Sequence, residues 1–107
     1  MTKRDDIVVD GTRNFYKLYG KLRNPDPIKI ELDRTMNLMK GDKINGVYIK
    51  KKPWPKIYRN HDVTNLYKYN INSWRLIYTV KGLNRIKHYQ ILDFLTHKEY
   101  NVIFGYD

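Results

Sequence analysis

The chain contains no cysteine, which excludes disulfide bonds, thiolate metal sites and cysteine nucleophiles. With only four prolines and six glycines in 107 residues, it has no linker or low-complexity tract. No apolar run approaches the roughly 18 residues of a membrane-spanning helix, and the beginning, MTKRDDIVVDG, has no apolar run long enough for a signal sequence. We therefore expect a soluble, cytoplasmic protein with no membrane partner.

Acidic residues are also few: the chain has 11 Asp and Glu residues and 21 Lys and Arg residues, which gives a formal net charge of +10. Such a field attracts polyanions and speeds their encounter. Nucleic acid is the first expected partner, ahead of an anionic membrane or an acidic protein. The hydrophobic share of 41% is that of a folded protein, and this length suits one domain with a single modest core.

The first 40 residues predict one strand and two helices. Residues 7–9 suit a short strand, and Thr12 is placed to cap a helix over residues 13–22. Asp26 is placed to cap a second helix, with Pro27 at its first position. Each helix has apolar residues on one face: Phe15, Leu18, Tyr19 and Leu22, then Ile28, Leu32, Met36 and Met39. We expect the two to form a helical hairpin.

The rest of the chain predicts an antiparallel sheet. Residues 43–61 are interpreted as a loop with one short strand at 47–49. Alternating patterns over 63–71 and 74–80 flank an Asn-Ser turn and predict a hairpin, and a turn at 81–84 leads to a third strand at 86–95. The predicted fold class is α+β, a small antiparallel β-sheet packed on an N-terminal helical hairpin.

Arg75 lies on the strand face opposite Trp74, Leu76 and Tyr78. If that larger apolar set faces the helices, Arg75 points to the open side of the sheet, where a guanidinium can hold a phosphate through two hydrogen bonds. A cross-strand ion pair or a solvated arginine is the alternative interpretation.

His97, Lys98 and Tyr100 directly follow the third strand, in what we interpret as a turn at the sheet edge. Imidazole, ammonium and phenol together can supply acid or base chemistry and stabilise a charged transition state. An ordinary surface turn is the alternative. His61 lies in a predicted loop and His88 in a predicted strand without nearby ligand spacing, so neither is assigned a role.

The segment KKKPWPKIYR, which starts at position 50, is the densest basic and aromatic part of the chain. Lysines in such a segment can bind phosphates while aromatic rings stack on bases. A solvated charge run with its rings turned into the core is an equally good interpretation. The predicted RNA-binding residues are Lys50, Lys51, Lys52, Lys56 and Tyr58.

Several motifs are missing from the sequence. No pair of histidines or carboxylates has a recognisable metal-site spacing, and no acidic-x-lysine element follows Pro25-Asp26. There is no phosphate-cradling glycine loop and no serine nucleophile motif. We therefore predict a site that works without a metal or any other cofactor.

Three segments, GVYIKKKPWPKIY, VTNLYKYNINSWRLIYTV and ILDFLTHKEYNVIFGY, together resemble the RelE/ParE superfamily of toxins from type II toxin–antitoxin systems. The chain looks most like the RelE-type branch, whose sheets carry a comparable Trp-Arg-Leu-Ile-Tyr strand and a His-Lys-x-Tyr ending. The resemblance covers residues 46–106, and the two preceding helices agree in order. Residues 1–107 are expected to form a single RelE-like toxin domain.

The resemblance implies a concave basic face that cleaves mRNA in the ribosomal A site and so inhibits translation. Arg75 matches the strand arginine at the scissile phosphate, His97 and Lys98 match the polar pair after the last strand, and Tyr100 matches an aromatic that stacks or shuttles a proton. It also implies a metal-independent endoribonuclease (mRNA interferase), monomeric alone and hetero-oligomeric with an acidic antitoxin.

Two alternative functions remain at this point. A ParE-type toxin would share the fold but inhibit DNA gyrase, and the cluster at His97, Lys98 and Tyr100 argues against it because ParE-like chains generally lack that cluster. A non-catalytic RNA-binding, toxin-like module would be satisfied by basic composition alone.

Overall fold

The computed structural model describes residues 6–24, 26–50, 54–61 and 63–106. In the part of the chain described, no helix has the length and apolarity needed to cross a membrane. In chain order, the elements are β1 (Asp6–Gly11), α1 (Arg13–Tyr19), α2 (Pro27–Lys40), β2 (Val47–Tyr48), α3 (Lys56–Arg59), β3 (Tyr67–Ile71), β4 (Trp74–Leu83), β5 (Ile86–Thr96) and α4 (His97–Phe104).

The first two helices begin where the sequence predicts. The Thr12 hydroxyl accepts a hydrogen bond from the Phe15 backbone N–H at 3.2 Å, and the Asp26 carboxylate accepts one from the Ile28 backbone N–H at 2.9 Å. Pro27 occupies the first position of α2, where its missing N–H would have had no helical partner. Helix α1 is shorter than predicted: it ends at Tyr19 rather than at residue 22.

The five strands form one mixed sheet in the order β1-β5-β4-β3-β2. Strands β3, β4 and β5 are joined as two antiparallel hairpins, as predicted, and the short β2 adds to the outer edge of β3. Strand β1 pairs with β5 in parallel, with Asp6 opposite Ile86 and Gly11 opposite Ile91. The sheet therefore joins the beginning of the chain to its last strand.

The predicted fold class is wrong in its architecture, although the protein does contain both helices and strands. Most of the regular structure is one five-stranded mixed sheet. The helices do not form an N-terminal hairpin that supports a small antiparallel sheet. Helix α1 packs on β1 and β5, and α2 packs on β1. The sequence did not indicate this arrangement, because a parallel pairing between distant segments leaves no local pattern.

Each face of the sheet carries its own buried core. The core on the side of the sheet that α1 and α2 cover is called the helix-side core, and Trp74 packs against it. The members of the helix-side core are Phe15, Leu32, Met39, Ile71, Leu76, Tyr78, Tyr89, Ile91 and Phe94. The members of the opposite core are Ile49, Trp54, Tyr58, Leu66, Ile77, Leu92, Leu95 and Tyr100.

Two predicted turns differ in the structure. The turn between β4 and β5 lies at Asn84 and the residue after it, not at residues 81–84, and Asn84 has a left-handed φ of 59°. The segment after β5 is helix α4 rather than a turn. Thr96 and Glu99 form a reciprocal capping box at its start, and Gly105 ends it with a φ of 73°.

Candidate active site

Arg75 is the second residue of β4 and is half-buried. It does not point to an open sheet face as predicted, because the opposite core covers that side of the sheet. Its Nη1 donates to the main-chain oxygens of Trp74 at 3.0 Å and Asn72 at 3.3 Å. These bonds hold the guanidinium over the β3–β4 turn, at the end of the sheet.

The strand register brings the C-terminal cluster to the same end of the sheet. Trp74, at the start of β4, is opposite Thr96, at the end of β5. Helix α4 therefore begins beside the β3–β4 turn. The backbone N–H of His97 donates to the Ser73 carbonyl at 2.7 Å, which attaches the first residue of the helix to that turn.

His97 contacts Arg75 directly. The Arg75 Nη2 atom lies 2.7 Å from His97 Nδ1, and the other ring nitrogen, Nε2, lies 3.2 Å from the amide of Asn101. His97 itself is exposed, and so is Lys98, the next residue of α4. A cation that can bind phosphate and a side chain that can exchange protons thus meet at a solvent-accessible position.

Tyr100 lies one turn further into α4 and is only 3% exposed. Burial raises the pKa of its phenol, the neighbouring Tyr106 and the hydrogen bond between the two raise it further, and the Arg75 charge lowers it. The phenol therefore stays protonated near neutral pH and can donate a hydrogen bond but not act as a base. The Lys68 ammonium lies over its ring, 5.0 Å from the centroid.

A basic and aromatic groove extends from Tyr100 along the surface. A cleft of about 190 Å³ is lined by Tyr48, Lys50, Lys68, Tyr100 and Tyr106, with Val47 and Ile49 beside them. A second cleft, of about 290 Å³, shares Ile49, Lys50 and Tyr106 with it and continues to Trp54, Pro55, Ile103, Phe104 and Gly105. The groove thus combines lysine side chains with aromatic rings along one accessible surface.

The predicted RNA-binding residues divide into three groups. Lys50 and Lys56 are exposed, and Lys50 lines the groove. Lys51 and Lys52 lie outside the described residues. The prediction for Tyr58 is wrong, because its ring is 2% exposed and its hydroxyl donates to Asp93 Oδ2 at 3.0 Å. The one-turn helix α3 packs inward and carries this ring into the opposite core.

The remaining histidines lie away from this site. His61 is exposed, and its carbonyl accepts a hydrogen bond from Lys81. His88 Nε2 lies 2.8 Å from Asp10 Oδ1, across the parallel β1–β5 pair. Within the described ranges, no group of three or more His, Cys, Asp or Glu side chains is arranged to hold a metal ion.

Sequence reasoning missed three residues of the site: Asn101, Lys68 and Tyr106. The letters Thr-His-Lys-Glu at 96–99 match the Ser/Thr-x-x-Glu capping box, and this signal predicts a helix start. A helix from residue 97 would have placed Asn101 one turn from His97. No comparable signal was available for Lys68 or Tyr106, because tertiary packing brings them to Tyr100.

Comparison with known proteins gives no match of this chain to a protein-family model, a curated protein or a solved structure.

Proposed function

We propose that this protein is a RelE-type toxin of a type II toxin–antitoxin system, a metal-independent endoribonuclease that cleaves mRNA on the ribosome and inhibits translation in the cytoplasm. The observation that carries the proposal is the 2.7 Å contact between Arg75 Nη2 and His97 Nδ1. It joins a phosphate ligand to a proton acceptor at an accessible end of the sheet. The net charge of +10 suits a polyanionic substrate.

The reaction we propose is attack by the 2′-hydroxyl of the RNA on its own neighbouring phosphate. The hydroxyl proton passes to His97 while the 2′-oxygen bonds to phosphorus, and Arg75 neutralises the charge of the phosphorane. The bond from phosphorus to the 5′-oxygen then breaks, and this oxygen takes a proton from the Lys98 ammonium. The products are a 2′,3′-cyclic phosphate and a 5′-hydroxyl, and no further reactant is consumed.

The ribosome would supply the orientation that so small a site lacks. Lys50 and Lys68, with the exposed ring of Tyr48, would hold neighbouring nucleotides in the groove. A toxin of this kind needs a neutralising partner. A basic surface suits an acidic antitoxin, with which the protein, monomeric alone, would form a hetero-oligomer.

The test is expression of the chain without a partner, followed by primer extension on a reporter mRNA. We expect translation to stop and new 5′ ends to appear inside codons that are being read. Arg75→Ala should abolish cleavage, with a loss on the order of 100- to 1000-fold, by analogy with the removal of one oxyanion-hole donor. Arg85→Ala is the matched control, because it removes an exposed arginine at the opposite end of β4.

The possible results separate the candidate functions. Intact transcripts with normal protein synthesis would remove the nuclease proposal, and loss of DNA supercoiling with intact mRNA would favour the gyrase alternative. Early melting of purified Arg75→Ala would show that the arginine acts through its bonds to the β3–β4 turn and not on a phosphate.

One observation favours the second candidate, a non-catalytic RNA-binding module. Arg75 already donates from Nη1 to the main-chain oxygens of Trp74 and Asn72, and its Nη2 lies against His97, so both terminal nitrogens of the guanidinium have protein partners before any RNA arrives. Under this alternative, the purified protein binds RNA with a strong dependence on salt and leaves it intact on ribosomes.

A further inference from the structure

The imidazole of His97 is held at both of its nitrogens. Nδ1 lies 2.7 Å from Arg75 Nη2, and Nε2 lies 3.2 Å from the Asn101 amide atom placed as Nδ2. Asn101 is four residues after His97 in α4, so the two side chains are neighbours on one side of the helix. Asn101 is partly buried, whereas His97 is exposed. The ring is therefore held between a strand arginine and a helix amide.

The contact with Arg75 determines which nitrogen carries the proton. A guanidinium has only N–H donors, so the nitrogen that it contacts must accept with a lone pair. Nδ1 of His97 is therefore bare in this arrangement. A neutral imidazole has one N–H group, and the proton must lie on Nε2.

The proton on Nε2 determines the orientation of Asn101. An N–H group on the ring cannot form a hydrogen bond with an amide N–H, so the partner must be the amide oxygen. The oxygen and nitrogen of an asparagine are told apart by their hydrogen bonds. The amide of Asn101 is therefore rotated by half a turn from the placement with Nδ2 nearest to the ring, so that Oδ1 accepts from His97 Nε2–H.

We propose that Asn101 is the positioning residue that fixes the tautomer of His97. By accepting from Nε2–H, it keeps the Nδ1 lone pair directed at Arg75, where the phosphate and the 2′-hydroxyl would bind. The catalytic consequence rests on the proposed function. When a phosphate takes the guanidinium, Nδ1 is released as the base, already in the correct tautomer.

Long-range ¹H–¹⁵N correlation spectra test the tautomer without any substrate. In protein labelled with ¹⁵N, at a pH of about 8 where ordinary histidines are neutral, a bare ring nitrogen resonates far downfield of one that carries hydrogen. The chain has three histidines, and the spectrum of His97→Gln identifies which signals belong to His97. We expect one bare nitrogen, Nδ1, and one N–H, Nε2.

Variants at position 101 test the role of the asparagine. In Asn101→Ala we expect the two nitrogen shifts to move towards each other, because the ring then exchanges between tautomers. Asn101→Asp should restore the single form, since a carboxylate can only accept. Alanine has a higher helix propensity than asparagine, so the change does not weaken α4. Val102→Ala, at a position 66% exposed in the same helix, is the control.

Two spectroscopic results would overturn the proposal. One is a wild-type His97 with its proton on Nδ1, or with both tautomers mixed. The other is an Asn101→Ala spectrum identical to that of the wild type. If Asn101→Asp fails to restore the single form while Asn101→Ala disturbs it, the amide donates rather than accepts, and the assignment of Oδ1 is wrong.

Cleavage on saturating ribosomes gives the functional readout. Acid–base catalysis contributes roughly 100- to 10,000-fold, so we expect Asn101→Ala to slow the bound-state rate about 10-fold or more, with binding unchanged and with recovery in Asn101→Asp. A wild-type protein that shows the tautomer coupling but cuts no RNA would contradict the proposed function alone. Normal cleavage by Asn101→Ala with a disturbed tautomer would contradict the positioning role alone.

Discussion

Asp93 shows how a single buried carboxylate can join several elements. It is 5% exposed in β5, and its oxygens accept hydrogen bonds from Tyr58 in α3 at 3.0 Å, from Asn14 in α1 at 3.3 Å and from the Phe94 backbone at 2.9 Å. Burial raises the pKa of its carboxyl group, and the bonds from Phe94 and Tyr58 only partly offset that effect. Two helices are thus tied to the sheet by a group whose ionised form is disfavoured.

The raised pKa makes the contribution of Asp93 to stability depend on pH. The folded state holds the proton more tightly than the unfolded chain, so this contribution is fully present below about pH 3.8, the ordinary value for aspartate, and is lost as the pH rises through the higher folded value. We predict that the free energy of unfolding of wild type, minus that of Asp93→Asn, falls as the pH rises through this window and is constant above it. Urea denaturation at a series of pH values measures this difference.

Glu31→Gln is a suitable control for the same measurement, because Glu31 lies on α2, where it pairs with Arg34 on the helix surface. A difference that rises with pH for Asp93→Asn would mean that its hydrogen bonds outweigh its burial. The ionised form of Asp93 would then favour the folded state, and the pKa of its carboxyl group would be lowered on folding and not raised.

The start of helix α4 positions the candidate site at the scale of an element. Thr96 Oγ1 accepts from the Glu99 backbone at 3.1 Å, and the Glu99 carboxylate accepts from the Thr96 backbone at 2.8 Å. These two bonds satisfy main-chain donors that have no helical partner. His97 is the first residue after the cap, so the cap determines where the imidazole lies relative to Arg75.

Thr96→Ala should therefore weaken both the helix and the site. Loss of an N-cap side chain costs about 1 kcal/mol, so we expect a decrease of that size in the free energy of unfolding. We also expect slower cleavage, because the first turn of α4 then holds His97 less firmly beside Arg75. Urea denaturation and ribosome-dependent cleavage measure the two effects. Thr64→Ala, at an exposed loop position, should change neither the free energy of unfolding nor the cleavage rate. Equal behaviour of the two variants would show that the capping box does not organise the site.

Local signals were sufficient for several elements and insufficient for others. The caps at Thr12 and Asp26 and the Asn72-Ser73 turn are set by residues close in sequence, and the structure confirms them. Helix α3 has only four residues, so no period could reveal it or the inward direction of Tyr58. The pairing of β1 with β5 depends on chain topology, which local patterns do not encode.

The sequence predicts which residues belong to the candidate site better than it predicts how their side chains are arranged. The sequence predicts Arg75 and His97 from their chemistry and from a resemblance, and the register of β4 with β5 brings the two side chains into contact. Lys98 is exposed in the first turn of helix α4, whereas the turn predicted for this segment does not indicate the burial of Tyr100. That burial follows from reading residues 97–104 as a helix, since one side of α4 must then pack on the sheet.

At the scale of the whole molecule, a sheet with a buried core on each face explains where the site lies. The helix-side core packs on one face and the opposite core on the other, so buried side chains occupy the middle of each face. The accessible chemistry is instead at one end of the sheet, where β4 begins and β5 runs into α4. A hint of this was present in the sequence, because the run ILDFL in β5 is nearly continuous in apolar residues, as in strands that are buried on both sides.

Adjacent residues of β4 allow this two-sided packing to be tested directly. Leu76 belongs to the helix-side core and Ile77 to the opposite core, and each is 0% exposed. Truncation of a fully buried Leu or Ile to Ala costs about 2–5 kcal/mol, through lost apolar burial and the cavity that remains. We therefore predict that Leu76→Ala and Ile77→Ala lower the free energy of unfolding by similar amounts within that range.

Val102→Ala, at the exposed position in α4, should change the free energy of unfolding by less than about 0.5 kcal/mol. Chemical denaturation of the three variants under identical conditions gives the comparison. A large loss for Leu76→Ala with a small loss for Ile77→Ala would mean that the opposite core is not tightly packed, in which case α4 and the His97 that it carries would not be firmly positioned by the sheet.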